Sequence, residues 1–506
     1  MLLQKIRPVA AGLVFLFLAV FFTGTSLLAY RNGPVYMAAL FLAALLVAWV
    51  VLLPEKRPSQ QTNLLKNVWP YVLLSLATLI PRLLWLLSVN TSPTSDFKFY
   101  QRVAEQLSQG TLGESTYIAL YPHVVGYPFI LSLIYRVFGN DILFAQILNL
   151  AAALGIVLGI YWLSAQIMHQ RFALLAGLLV ALWPSMIFFT PIVSTEGIFT
   201  LLIVGCSVLL FLIKDIQKIP LGIGLFGLLG MAVGVVNAVR PFGLLFMAAA
   251  GLYYLLFVKA AGSGLRPWLV KLVFFASLIL GYLLMTNLAH WKLEQTLHTD
   301  VGKSFLGYSL LVGANYESSG MWNQADADQQ LEIYQVGKTP PDEVNRVLLG
   351  RAVQRIRSNP LQFLYLQFRK NKILWQDDTF GIYWNRWFQD EKAPGVLDSA
   401  IFNALEPVSN YYYFVLLALG LLGSLAGLIH REQSYLLFVA LLMSGTIGIF
   451  IFTEVQPRYH YNALPLIAII ASYGLDHLNH RSRLLFRATT RDQANFQTTP
   501  SGNQGE

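Results

Sequence analysis

The chain has 506 residues, of which 56% are hydrophobic and only 12% are charged. A soluble protein of this length does not need so much apolar side chain, so the composition excludes an ordinary soluble protein and indicates one that faces lipid. The net charge of +9 follows from the placement of basic residues around a membrane, and it does not indicate nucleic-acid binding.

Apolar runs of about 20 residues recur along the chain and match helices that cross a hydrocarbon core about 30 Å thick. Alternation of the kind that membrane barrels require is absent. We therefore predict an all-α polytopic membrane protein with about twelve transmembrane helices. The predicted spans are 8–30, 35–53, 68–90, 142–165, 172–189, 197–213, 221–239, 241–258, 270–288, 410–429, 435–452 and 462–478.

The first run follows Lys5 and Arg7 but has no clear small-residue cleavage site, so we interpret it as a retained span. If the N-terminus is cytoplasmic, the inner loops and the tail are rich in lysine and arginine, whereas the short outer loops carry only Arg31, Arg240 and Arg458. This asymmetry predicts an integral protein of the plasma (inner) membrane with both termini in the cytoplasm.

The loops divide the chain into regions. The single cysteine, Cys206, lies within a span, so no disulfide braces either long loop. The predicted regions are an extra N-terminal transmembrane pair with a cytoplasmic loop (1–66), a transmembrane core (67–288) that includes the outer loop 91–141, an extracytoplasmic loop domain (289–409), C-terminal transmembrane helices (410–480), and a basic, disordered cytoplasmic tail (481–506).

Both long loops carry helical patterns. Residues 96–109 form an amphipathic pattern, and a more apolar one covers Tyr127–Phe138, so we expect two helices at the membrane surface. The loop domain has helical patterns near 340–357 and 360–375 and is predicted to be mostly helical.

Ionisable residues gather at the predicted outer ends of the spans. Asp96 suits a helix cap or a general base, and the two roles are compatible. Glu196, in PIVSTEGIFT, suits a cap equally well. Arg240, in NAVRPFG, and Arg458, in TEVQPRYHYNALP, suit either snorkelling to head groups or the capture of a phosphate. Together the four residues indicate a site for a phosphorylated lipid head group.

Other polar residues carry weaker signals. Arg82 lies within a span and suits a buried structural charge or a pocket residue. The pair Asp377 and Asp378 is interpreted as solvated loop, and His123 suits a proton carrier or an acceptor contact. The sequence has no Cys/His cluster, no Gly-rich nucleotide motif and no GxSxG elbow, so we predict no cofactor. A divalent metal would find no obvious ligand cluster.

Several runs appear in an order that resembles the membrane-embedded GT-C glycosyltransferases. They are SDFKFYQRVAEQLSQG, YPHVVGYPFILSLIYRVFG, STEGIFTLL, NAVRPFGLL and EVQPRYHYNALPLIAIIASYGL. The resemblance is to the family 39 type, which includes protein O-mannosyltransferases and the aminoarabinose transferases of lipid A. It covers roughly 68–290 well and the last two spans moderately.

The resemblance implies a GT-C-like fold and roles for particular residues. Asp96 matches the acid that acts as catalytic base, although Phe97 stands where many members have a second acid. Arg240 and the pair Arg458-Tyr459 match contacts to the lipid phosphate, and Glu196 matches a residue that holds the loop or the sugar. Further candidate substrate-binding residues are Lys98, Tyr100, His123, Tyr127 and Glu454.

The implied activity is an inverting transfer of a sugar from a polyprenyl-phosphate donor to a hydroxyl of a protein, lipid or cell-envelope glycan outside the cytoplasm. The partners are then the lipid-linked donor, the acceptor and membrane lipids. A transporter or lipid flippase is one alternative, but transporters tend to carry their charges near mid-membrane, often in related repeats. A glycan polymerase or ligase is the other, and it differs mainly in the acceptor.

Overall fold

The computed structural model describes residues 2–29, 68–113, 115–259, 265–334, 338–389 and 399–479. Within these ranges the regular elements are all helical, as the composition predicts. Eight helices are long and apolar enough to cross a membrane. They are Ile6–Ala29, Trp69–Ser88, Ile142–Ala165, Thr195–Ile213, Ile219–Val239, Arg266–Leu297, Ala400–His430 and Tyr435–Phe452. The chain is therefore an integral, multi-pass membrane protein.

Four predicted spans are not among these eight helices. The predicted span 35–53 lies outside the described residues. The other three correspond to shorter helices, at Gln170–Ala181, at Gly243–Leu256 and at 464–479. The total of twelve therefore stays a prediction.

The predicted span 172–189 is interrupted because Pro184 has no backbone N–H to continue the helix. The helix Gln170–Ala181 ends before it, and a short helix, Pro184–Phe188, follows. Arg82 is buried at this break, where its Nη1 donates to the carbonyl oxygens of Ala181 at 2.7 Å and Thr78 at 3.0 Å. Arg82 thus serves as a structural charge that satisfies a helix end.

The two long loops form helices where the sequence predicts them. The first contains Ser95–Ser108 and Gly126–Phe138. The second contains the two predicted helices, Pro341–Ser358 and Pro360–Trp375. It also contains three helices at positions where no helical pattern was predicted, Leu306–Gly313, Gln324–Ile333 and Phe380–Trp387. The local reasons are ordinary capping: Pro341 and Pro360 stand in first turns, and the Asn359 side chain accepts from the Gln362 N–H at 3.1 Å.

The two long loops contact each other. The N–H of Ser92 donates to the carbonyl of Phe388 at 2.8 Å, and the N–H of Gly302 donates to the carbonyl of Ala119 at 2.8 Å. The first loop and the second are therefore joined by backbone hydrogen bonds.

Glycines bring the helices Ile219–Val239 and Leu265–Leu297 close together. A Cβ at Gly230 would lie 2.0 Å from the carbonyl oxygen of Leu278, and one at Gly281 would lie 2.1 Å from that of Gly227. Such close backbone approach through small residues is typical of membrane helix pairs. The packing fixes the helix that leads directly into Arg240.

Lys370 ties the helix Pro360–Trp375 to the residues that precede Arg458. Its buried Nζ donates to the carbonyl oxygens of Gly313 at 2.9 Å, Ile451 at 3.0 Å and Thr453 at 2.8 Å. The N–H of Val455 donates to the carbonyl of Gly320 at 3.0 Å. We name residues 454–460 the arginine segment. Hydrogen bonds from the second loop thus fix the backbone at the start of this segment.

Candidate functional site

Asp96 lies in the first turn of the helix Ser95–Ser108, where the helix dipole favours a negative charge. Thr94 holds the N-cap position, and Ser95 adopts a left-handed backbone with φ of 50°. The Asp96 side chain is 46% exposed, and its Oδ2 lies 3.7 Å from Nη2 of Arg458. The carboxylate is therefore accessible and next to a cation.

Arg240 stands at the C-terminal end of the helix Ile219–Val239 and pairs with Glu196, which lies in the first turn of the helix Thr195–Ile213. Its Nη2 donates to Oε1 of Glu196 at 2.5 Å, and its Nε donates to Oγ1 of Thr195 at 2.8 Å. Glu196 is buried, whereas Arg240 is 22% exposed. Part of the Arg240 guanidinium can thus reach a ligand.

Arg458 lies in the 3₁₀ helix Pro457–Ala463, and its guanidinium is held between aromatic faces. The guanidinium carbon lies 4.5 Å from the ring centre of Phe97 and 5.2 Å from that of Trp384. Its Nε lies 3.5 Å from Oε1 of Glu196, and no acceptor in the described part of the chain makes a hydrogen bond with it. Burial disfavours the charged form, but the interactions with Glu196, Tyr459, Tyr100 and Asp96 outweigh it and raise the pKa of Arg458 above its ordinary value.

We name Asp96, Glu196, Arg240 and Arg458 the charged cluster. Glu196 is shared by both arginines, so two cations meet one buried carboxylate, and the second carboxylate belongs to the accessible Asp96. An anion that enters beside Asp96 would meet Arg240 and Arg458 at the end of two membrane helices. Guanidinium pairs of this kind suit phosphate oxygens.

Tyr459 and Glu454 are hydrogen-bonded to each other and lie next to the charged cluster. The Tyr459 hydroxyl donates to Oε1 of Glu454 at 3.2 Å, and Nε2 of Gln456 donates to the same oxygen at 2.9 Å. The Tyr459 ring centre lies 5.2 Å from the guanidinium carbon of Arg240. Burial raises the pKa of Glu454, which favours the neutral form of this carboxyl.

Tyr100 and Tyr127 lie next to each other, with ring centres 5.9 Å apart. Burial, together with the nearby Asp96 carboxylate, raises the pKa of Tyr100. Tyr127 is fully buried, and its hydroxyl has no hydrogen-bond partner among the described residues. The structure thus brings Tyr100 to the cluster and places Tyr127 behind it.

Lys98 is not brought into the cluster, and His123 lies near Arg240 without a hydrogen bond or ion pair to a cluster member among the described residues. Lys98 is exposed and lies about 200° around the helix from Asp96. The His123 ring packs on Phe305, with ring centres 4.4 Å apart. Burial, with Arg240 nearby, lowers the pKa of His123 to about 3, so this ring is neutral and suits a hydrogen bond rather than an ion pair.

The interpretation of Asp377 and Asp378 as solvated loop is wrong for Asp378, which is fully buried. Its Oδ2 accepts from Nε1 of Trp183 and from Oγ of Ser185, each at 2.6 Å, and its Oδ1 lies 3.0 Å from Nε2 of His460. The donors of Trp183 and Ser185 lie in an apolar interior and need an acceptor. The run LWPS places these two donors within an apolar stretch, and this is the sequence signal that could have indicated a buried acceptor.

Phe97, Trp384 and Thr195 were not predicted as site residues, although each contacts one of the two arginines. Phe97 follows Asp96 directly and is buried, so it faces the bundle while Asp96 faces the opening. Trp384 comes from the second loop, and no pattern in the sequence links it to Arg458.

No protein-family model matches the sequence, and no curated protein matches it. Solved structures similar to this chain include the archaeal oligosaccharyltransferase AglB from Archaeoglobus fulgidus in complex with an inhibitory peptide and a dolichol-phosphate. That structure is 13% identical, with a TM-score of 0.44, over 88% of this chain and 53% of that chain, so this chain spans about half the neighbour's length.

A second similar structure is ArnT from Cupriavidus metallidurans bound to undecaprenyl phosphate. It is 13% identical, with a TM-score of 0.35, over 87% of this chain and 83% of that chain. Both neighbours are GT-C membrane glycosyltransferases, the class that the sequence resembles.

Proposed function

We propose that this protein is an inverting glycosyltransferase that moves a sugar from a polyprenyl-phosphate donor to an acceptor hydroxyl. The observation that carries the proposal is the pairing of an accessible carboxylate, Asp96, with an arginine 3.7 Å away that shares Glu196 with a second arginine. A base and a phosphate site then lie side by side at the ends of membrane helices. This is where a lipid-linked phosphate would present its head group.

In the proposed reaction Asp96 removes the proton of the acceptor hydroxyl. The hydroxyl oxygen attacks the anomeric carbon and forms the new glycosidic bond. The bond between that carbon and the phosphate oxygen breaks, and the lipid phosphate leaves with the electron pair. A single displacement inverts the configuration at the anomeric carbon, and it needs no second carboxylate as nucleophile.

The two arginines stabilise the negative charge that grows on the departing phosphate. Arg240 is part-exposed and pairs with Glu196, so its remaining donors are free to turn towards a ligand. Arg458 is only 6% exposed, and its Nη2 lies 3.7 Å from the accessible Asp96 carboxylate, so a phosphate oxygen would approach Arg458 from the Asp96 side. Preformed donors of this kind cost no reorganisation when the charge develops.

Tyr459 and Glu454 are proposed to border the donor sugar, and Tyr100 to border the acceptor beside Asp96. Lys98, His123 and Tyr127 stay weaker candidates for substrate contact. The proposed site faces the non-cytoplasmic side, with both termini inside, because basic residues concentrate in the opposite loops. The proposed chemistry needs no cofactor, and activity should therefore survive EDTA.

The test supplies purified protein with a panel of polyprenyl-phosphate sugars and acceptors and measures the release of polyprenyl phosphate. Asp96→Asn should lower turnover by about 10² to 10⁴-fold, because the amide cannot accept the proton. Binding of the donor should change little, since the substitution keeps the shape of an exposed side chain. Glu105→Gln, on the same helix, is the matched control and should keep full turnover.

Full activity in the Asp96→Asn protein would rule out its role as the base. Concentrative uptake into sealed vesicles without glycosyl transfer would instead favour a transporter. Transfer of long glycans in place of single sugars would favour the polymerase or ligase. Loss of activity with EDTA, restored by a divalent metal, would contradict the cofactor-free mechanism.

A further inference from the structure

We infer that Asp378 and His460 are positioning residues that hold Arg458 in place for the lipid phosphate. His460 lies two residues after Arg458 in the same 3₁₀ helix, and both Asp378 and His460 are completely buried. The inference rests on the proposed function, because it concerns the phosphate contact assigned to Arg458.

The cluster itself does not lock Arg458. Its contacts to Asp96 at 3.7 Å and to Glu196 at 3.5 Å are longer than charge-assisted hydrogen bonds, which measure about 2.7–2.9 Å. Phe97 and Trp384 limit the tilt of the guanidinium plane, but an aromatic face does not fix a position along that plane. The position of Arg458 must therefore come largely from the backbone beneath it.

His460 supplies that anchor. Its Nδ1 lies 2.6 Å from the carbonyl oxygen of Leu374, and its Nε2 lies 3.0 Å from Oδ1 of Asp378. The ring stacks between Trp375 and Tyr413, with ring centres 5.5 Å and 5.6 Å away. Both edges and both faces of the imidazole are thus occupied.

The hydrogen-bond partners also define the protons of the pair. A carbonyl oxygen only accepts, so Nδ1 of His460 must carry a proton. Oδ2 of Asp378 already accepts from Trp183 and Ser185, which leaves one proton between Oδ1 and Nε2. The pair is then neutral as a whole, whichever atom holds that proton. A neutral, fully bonded anchor can be buried beside the cluster without opposing its charges.

Asp378 is in turn fixed from two further directions. Its N–H donates to Oδ1 of Asn410 at 3.0 Å, and its carboxyl joins the break at Pro184 through Trp183 and Ser185. A displacement of His460 would move the short turn that carries Arg458, because a 3₁₀ helix rises only about 2 Å per residue.

The experiment measures the binding of polyprenyl phosphate to the full-length protein in detergent, with polyprenol as the uncharged comparison. His460→Phe keeps the stacking and removes both hydrogen bonds, and it should weaken polyprenyl phosphate binding about tenfold. His460→Gln retains a donor for Asp378 and should give a smaller loss. Polyprenol binding should change less than twofold in both.

A double-mutant cycle separates positioning from general damage. Arg458→Lys removes the guanidinium group that His460 is inferred to position. In this background, His460→Phe should weaken polyprenyl phosphate binding less than twofold further. Equal factors in both backgrounds would overturn the inference. If His460→Phe does not fold, the same cycle with His460→Gln gives the answer.

Asp326→Asn is the matched control, since Asp326 is a buried acid paired with Arg355 in the second loop, away from the cluster. It should lower thermal stability and leave polyprenyl phosphate binding unchanged. If Arg458→Lys alone has no effect, or the unmodified protein binds polyprenol equally well, the proposed function fails. If Arg458→Lys weakens binding and the His460 variants do so independently of it, only this inference fails.

Discussion

Phe97 follows Asp96 directly in the chain, and its ring packs against the guanidinium of Arg458. The ring is buried and lies 4.5 Å from the guanidinium carbon of Arg458. A carboxylate here would form another ion pair with Arg458, and the arginine would have less charge to offer a phosphate. The aromatic residue holds the arginine without neutralising it.

Phe97→Leu tests this role. Leucine keeps the position apolar but removes the aromatic face, so we expect donor binding to weaken by about 0.5–2 kcal/mol. The KM for the lipid-linked donor, or the Kd for polyprenyl phosphate, measures the change. Phe99→Leu is the control on the same helix and should leave both constants unchanged. Equal effects of the two substitutions would contradict a specific role for Phe97.

Glu454 gives a prediction for the pH dependence of stability. Burial raises its pKa above the ordinary 4.5 in the folded state, so the folded protein binds the proton more tightly than the unfolded chain. Between pH 4.5 and the raised value, stability should fall as the pH rises. Glu454→Gln should flatten the thermal unfolding curve against pH in this window, because the amide oxygen still accepts from Tyr459 and does not titrate.

Asp326 gives a comparison in which stability should change with pH in the opposite direction. Burial alone would raise its pKa, but hydrogen bonds from Arg355, Asn323 and Asn315 outweigh it and lower the pKa. Its contribution to stability is present above its ordinary pKa and is lost as the pH falls through the lowered value. Asp326→Asn should therefore cost stability at neutral pH and little at strongly acid pH. The same pH slope in both variants would contradict these assignments.

At the scale of the elements, the helix that ends at Arg240 depends on a close approach to its neighbour. Gly230→Ala should destabilise the protein by about 1–3 kcal/mol, because the new Cβ would overlap the carbonyl oxygen of Leu278. Gly224→Ala, on the same helix, is the control, since a Cβ there meets nothing within 4 Å. Thermal unfolding in detergent measures both. Equal stability of the two proteins would contradict the close packing.

The helices of the loops could be predicted from the sequence because their signals are local. Amphipathic spacing and capping residues act within a few positions, and Ser95–Ser108 and Gly126–Phe138 form within two residues of their predicted starts. The break at Pro184 was missed because the apolar run continues across it. The hydropathy of the run 172–189 measures how apolar its side chains are. It does not detect the loss of one backbone N–H donor at Pro184.

The charges of the cluster could be predicted as a set, because ionisable residues are costly at the ends of membrane helices and therefore stand out. The environment of Asp378 could not be predicted in the same way. Its partners Trp183, Ser185 and His460 come from distant parts of the chain. Only the packing of the second loop against the bundle brings them together, and the local sequence resembles an ordinary polar loop.

At the scale of the whole molecule, the orientation in the membrane is a prediction that labelling can test. Cys206 is buried, so single new cysteines can be read without background. In intact cells a membrane-impermeant maleimide should label Gln109→Cys, which is exposed in the first loop. It should not label Asp215→Cys, whose side chain is 70% exposed on the opposite loop, until the membrane is opened. The reverse pattern would place the site in the cytoplasm.

The hydrogen bonds from Lys370 to the chain before Arg458 have a consequence for the design of chimeric proteins. Lys370 belongs to the second loop, yet its three acceptors include Ile451 and Thr453 at the end of a membrane helix. The second loop and residues 451–460 therefore form one structural unit. A chimera that replaces residues 289–409 alone would remove Lys370 from the carbonyl oxygens of Ile451 and Thr453 that accept its hydrogen bonds. We therefore expect a working chimera to need residues 451–460 from the same parent as the loop.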